Sequence, residues 1–123
     1  MVRSLTRAEP IEHQVGADRT HNIALYDDAG AALDVTGVTA QFKLYKAVPR
    51  RARKPWSGDV LLTKTSAAGQ IALTAGQAAV TIADTDLDGK SGPHWYIVLI
   101  TTTATGAIAH RAEGEMFLRT APA

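Results

Sequence analysis

The chain has 123 residues and no cysteine, so disulfides and thiol catalysis are excluded, and no compartment can be read from redox chemistry. Hydrophobic residues at 46 % and charged residues at 20 % mark a globular chain rather than a disordered one, and a formal net charge of +1 does not suit a dedicated nucleic-acid binder. A chain of this length buries about two thirds of its unfolded surface, enough for one domain around one core. Its longest apolar run, 95–100, falls far short of the ~20 residues of a membrane helix. The first seven residues, MVRSLTR, contain no apolar stretch, so no secretory leader is expected.

The pattern is β almost throughout, with short alternating or apolar runs separated by Gly, Asp and Thr turns, as in a small sandwich or barrel. Residues 1–10 are polar and read as an N-terminal arm. A first strand is expected over 11–15. In 21–26, His21, Ile23 and Leu25 alternate with Asn22, Ala24 and Tyr26. The segment DDAG at 27–30 stops that strand, because short acidic side chains bond their own backbone and Gly accepts positive φ. A second bend, LDVTG at 33–37, precedes a strand over 38–46. There Val38, Ala40, Phe42 and Leu44 share one face, and Thr39, Gln41, Lys43 and Tyr45 the other.

Residues 47–58, AVPRRARKPWSG, break the alternation. Their two prolines cannot donate to a ladder, so a long loop is expected. Strands resume over 59–64, around Ile71 and Leu73, and around Val80 and Ile82. The Ala-rich 75–83 stretch could be helical, but Gly76 and the β-branched Val80, Thr81 and Ile82 oppose a helix. Residues 84–92 read as a turn region with room for one helical turn. The strongest strand covers 94–103. It is apolar on both faces and so belongs at the centre of a sheet. A hairpin turn at Thr105 and Gly106 leads into 107–119, with Gly114 a candidate bulge, and residues 120–123 form a short tail.

Several of these signals occur in a familiar order: LYDDAG at 25–30, LDVTG at 33–37, the outward strand 38–45, GQI at 69–71, AVTI at 79–82, the Gly-Pro step at 92–93 into WYIVL, and the closing EGEMFL at 113–118. In this order of turns the chain resembles the immunoglobulin-like β-sandwich domain of tailed bacteriophages, typified by the N-terminal domain of siphophage baseplate upper proteins. The likeness covers about 11–119. It rests on turn order and strand spacing, which many sandwiches share, and not on a chemical signature. It implies an all-β fold, a single immunoglobulin-like antiparallel β-sandwich of about 7–8 strands, and a structural role in a virion.

Beyond that likeness, the residues themselves offer two candidate sites. Lys43, Lys46, Arg50, Arg51, Arg53 and Lys54 cluster around the long loop with Trp56, and no acidic residue lies between Asp34 and Asp59. The bland reading is a solvated hairpin loop. The functional one is docking on an acidic partner surface, with Arg forks on carboxylates and Trp56 as an apolar anchor; phosphate contact is the lesser alternative. The second candidate is DTDLDG at 84–89, which matches the first half of a calcium loop through Asp84, Asp86 and Asp88. Its twelfth position is Trp95 rather than a bidentate Glu, so a backbone-capping turn is the preferred reading and no metal is assigned.

The four histidines, His13, His21, His94 and His110, have no spacing that pre-sets metal ligands. The serines sit in neither G-x-S-x-G nor S-x-x-K. Glu113 and Glu115 share a strand face expected to meet solvent near an edge, with no sign of a cleft. The expectation is therefore a non-enzymatic protein without a cofactor. As the resemblance implies, it would assemble in multiple copies, as a homo-oligomer, ring or lattice, with other virion structural proteins. Tail or baseplate is favoured over a capsid-decoration (cement) or head–tail neck position, and no membrane partner is expected. A carbohydrate-binding module using Trp56 and the tyrosines is the rival from another class.

Overall fold

The computed structural model describes residues 4–7, 10–27, 29–45, 60–87 and 89–119, and for 4–7 and 109 the backbone alone. The described residues hold nine strands and no helix: β1 (Ser4–Arg7), β2 (Ile11–Gln14), β3 (Arg19–Ala24), β4 (Val38–Tyr45), β5 (Val60–Thr65), β6 (Ile71–Thr74), β7 (Gln77–Ile82), β8 (Gly92–Thr102) and β9 (Ile108–Arg119). They form two sheets. The larger runs β1-β9-β8-β4-β5, with β2 also on β9, and the smaller runs β3-β7-β6. The fold is thus an all-β sandwich.

The alternation read from the sequence sets the core. On β4, Ala40, Phe42 and Leu44 point inward, opposite Ile100, Val98 and Tyr96 of β8. The Phe42 and Tyr96 rings stack at 5.8 Å between centroids. Ile23 of β3, Ile71 of β6, and Ala78, Val80 and Ile82 of β7 close the core from the smaller sheet. From β9 come Ala112, Met116 and Leu118. Each large apolar side chain buried this way stabilises the fold by about 1.5–3 kcal/mol.

As expected, β8 is central and buried on both faces. Tyr96, Val98 and Ile100 face the core. Trp95 and Ile97 face the other side, where they pack with Tyr45 and the half-buried Leu99. The Ala-rich stretch is strand β7, as its β-branched residues require.

The turns follow from local side-chain chemistry. Asp27 Oδ1 accepts the backbone N–H of Ala29 and of Ala31, both at 2.9 Å, and Asp34 Oδ1 accepts that of Thr36 at 3.0 Å. Gly76 turns β6 into β7 at φ 78°, and a Cβ there would lie 2.7 Å from Ala32 Cβ. Its N–H and C=O bond Leu33 O and Leu25 N, stitching the turn onto the loop that follows β3. Residues 84–87 form turns rather than a helical segment.

Two features differ from the sequence expectation. Within the stretch read as an arm, β1 is a strand parallel to β9, aligned with 110–113, and β2 continues along the same partner, aligned with 116–119. A twelve-residue β9 leaves an edge long enough for both. The bulge also lies elsewhere. Gly114 sits in regular register opposite Tyr96, and the slip falls between Ile100 and Thr101, beside the hairpin turn, where Ala109 is the extra residue.

Candidate functional site

The basic segment falls largely outside the described residues: Lys46, Arg50, Arg51, Arg53, Lys54 and Trp56 all lie there. Lys43 is described. It is half-buried on the outer face of the larger sheet, between Thr63 of β5 and Ile97 of β8. The strand end from which the segment departs is held by His94, whose Nδ1 lies 3.0 Å from Tyr45 O and whose Nε2 lies 3.1 Å from Ser91 O. Of the described aromatics on the outer face, Phe117 of β9 is exposed, whereas the Trp and Tyr rings are covered. Trp95 and Tyr45 are buried, and the Trp95 indole N–H has no hydrogen-bond partner among the described residues. Of the described Trp and Tyr residues only Tyr26 is substantially exposed, so they form no aromatic platform on the surface.

The acidic turn is engaged internally. Asp86 Oδ2 meets Lys64 Nζ at 2.6 Å and accepts the N–H of Ala83 at 2.7 Å. The Asp84 N–H donates to Asp18 Oδ1 at 2.7 Å. Asp88 lies outside the described residues. Among those described, no three His, Asp or Glu side chains are placed to hold a metal ion together. A cation arriving at Asp86 would compete with the Lys64 ammonium for the same oxygen. Glu113, on the outer face of β9, is half-buried and paired. Its side chain is 12 % exposed, with Oε2 3.3 Å from Arg111 Nε, so it is covered where solvent was expected, whereas Glu115 on the same face is exposed as expected.

The most distinctive chemistry lies at the seam where β2 of the larger sheet meets β3 of the smaller. His13 and Ile11 point inward from β2, and His21 and Ile23 inward from β3. The turn at 15–18 brings the two strands side by side, and His13 Nδ1 comes 2.9 Å from His21 Nε2 with the rings edge to face. At that distance one ring donates its N–H to the other's bare nitrogen, so the bond needs at least one neutral imidazole.

Burial lowers the pKa of both rings. For His13, Arg19 adds to the fall and Asp86 works against it. For His21, the neighbouring His13 and Arg19 add to burial and bring the value to about 4. For Asp86, burial pushes upward, but the hydrogen bonds from Lys64 and Ala83 and the charges of Lys64 and His13 outweigh it and hold the carboxyl below its ordinary value. Lys64–Asp86 and His13–His21 are thus two contacting polar pairs, linked through space by the charge of Asp86 acting on His13.

On the solvent side of the seam, Glu12, Gln14, Arg19, Thr20, His21 and Arg119 line an open groove of about 390 Å³. Arg119 and Glu12 pair across its rim at 3.3 Å with both side chains mostly exposed.

Sequence reasoning did not single out this pairing. His13 and His21 are eight residues apart and fit no ligand spacing. The signal available was parity: both fall on the inward-facing positions of two strands joined by a short Gly-containing turn. Neither protein-family models nor curated protein sequences give a match to this chain.

Proposed function

We propose that this chain is a non-enzymatic structural component of a tailed-phage particle, acting as an assembly adaptor in the tail or baseplate. The observation that carries this reading is the two-sheet sandwich itself, joined to the turn order through which the sequence resembles phage immunoglobulin-like domains. Its sheets end in strands that pair on one side only among the described residues: β5 at one end of the larger and β1 and β2 at the other, β3 and β6 in the smaller. Unpaired backbone groups on such edges can accept a neighbour's strand. The basic segment runs directly into β5 and sets a cluster of guanidinium groups beside one of these edges in the sequence. An acidic neighbouring surface would complement it.

Gold-labelled antibody against the chain, applied to purified particles and viewed by electron microscopy, tests the reading. Label at the tail tip is the expected result. Label spread over the head would overturn the tail placement in favour of capsid decoration, and absence of the chain from the particle would overturn the virion role itself. Replacing Arg50, Arg51, Arg53 and Lys54 together by Ser is expected to leave the isolated fold intact and block incorporation. Normal incorporation would remove the basic segment from the account. A saturable response on a glycan array, lost in Trp56→Ala, would instead establish the carbohydrate-binding rival.

A further inference from the structure

We infer that the groove at the β2–β3 seam is a binding site for a compact oxyanion, a sulfate, phosphate or carboxylate group, held by Arg19 and Arg119 and coupled to protonation of the His13–His21 pair. Its lining is almost wholly polar: two guanidinium groups, the Gln14 amide, the Thr20 hydroxyl and the His21 ring, against the single carboxylate of Glu12. The two cations exceed that carboxylate by one charge. Arg19 has no ion-pair partner among the described residues. The Arg119 contact with Glu12 runs through Nε, and a guanidinium carries five donors in a planar fork, which suits bidentate recognition of a planar or tetrahedral oxyanion.

The charged groups around the histidines set the coupling. Arg19 on β3 opposes a proton on either ring. The second imidazole opposes one on His21. Asp86, after β7, favours one on His13, but it is already paired with Lys64 of β5. Asp18, in the turn between β2 and β3, is bonded to the Asp84 N–H, and Glu12 leans toward Arg119. Among the described residues, the charged groups that act on His21 are His13 and Arg19, and neither is a carboxylate that would accompany a proton there. An oxyanion in the groove would fill that place: it neutralises Arg19, removes the repulsion and stabilises the imidazolium it faces. By linkage, whatever makes the ring easier to protonate makes the protonated protein bind the anion more tightly.

The test follows the ring resonances of all four histidines in the intact chain by NMR from pH 7.5 down to about pH 3, at constant ionic strength, in chloride, in sulfate (whose charge barely changes over this range) and in acetate. The His21 midpoint is expected to rise by about one pH unit in saturating sulfate, the usual scale for a counter-charge brought beside a titrating group. A rise of that size means that the protonated pair holds the anion about tenfold more tightly. The anion-dependent part of the rise is expected to vanish in Arg19→Ser and to shrink in Arg119→Gln, both changes at exposed positions. An equal rise in acetate assigns the site to a carboxylate, as a neighbouring polypeptide would offer it. A rise in sulfate alone assigns it to phosphate or sulfate. No anion-dependent shift at His21, or a shift of the same size in Arg19→Ser, or one shared equally by His94 and His110, would overturn the inference.

Discussion

The centre of the sandwich and its β2–β3 seam are built on opposite principles. At the centre, Phe42, Tyr96 and Val98 meet with almost no polar atoms, and stability there is a matter of area and fit. At the seam, Lys64, Asp86, His13 and His21 are also withdrawn from water, but each is tolerable only because its neighbour satisfies it. The centre should therefore ignore pH and respond to volume. The seam should respond to charge. A sandwich needs the first to fold. The second adds conditional stability, and this is why the seam rather than the core is where a signal could enter.

The largest effect is expected from the centre. Phe42→Ala removes a fully buried ring stacked on Tyr96 and should cost about 3–5 kcal/mol, read as a lower denaturant midpoint that barely changes between pH 5 and 8. Lys64→Met tests the seam. It strands the Asp86 carboxylate beside β5 without its cation and should cost about 2–3 kcal/mol, less than for a fully buried pair because Asp86 keeps some contact with water. Adding Asp86→Asn, which can still accept the Ala83 N–H, should recover part of that loss. A double variant no better than the single would show that the charge is not what matters.

The third prediction concerns acid. Both histidines have folded-state pKa values below the ordinary 6.5, so between that value and about 4 the unfolded chain binds more protons than the folded one. Their contribution is fully present above pH 6.5 and is lost as pH falls toward about 4. The Asp86 contribution has the same direction at lower pH: present above the ordinary value of 3.8 and lost beneath it. His21→Gln keeps a hydrogen-bonding partner for His13 but cannot titrate, so it should flatten the melting-temperature profile between pH 6.5 and 4.5. A profile as steep as the parent's would place the acid sensitivity elsewhere. The smallest effect is expected at the rim. Arg119→Ala breaks an exposed pair with Glu12 and should change stability by no more than about 0.5 kcal/mol.

Much of the sandwich was legible in the sequence because it is written in a period of two. The inward set on β4 and the two-faced apolar run of β8 follow from alternation and from its absence. The bends at Asp27 and Asp34 follow from side chains that bond their own backbone. What was not legible depends on partners distant in sequence. β1 carries too weak a pattern to be seen alone and exists because β9 offers it an edge. The slip at Ala109 is set by how the hairpin closes, not by the glycine at 114 that marked a bulge. The His13–His21 bond requires two strands from different sheets to arrive side by side, which no spacing rule encodes. Asp86 carried a sequence signal that pointed toward a cation, and its cation in this structure is the ammonium of Lys64.

The proton titration of the His21 ring in the unmodified chain is the most direct measurement of this account, because the whole contrast between centre and seam rests on a neutral imidazole pair withdrawn from water. In chloride alone the ring is expected to titrate at about 4, with His13 also lowered. A His21 midpoint at the ordinary 6.5 would contradict it, since it would mean that the pair is neither buried nor repelled by Arg19.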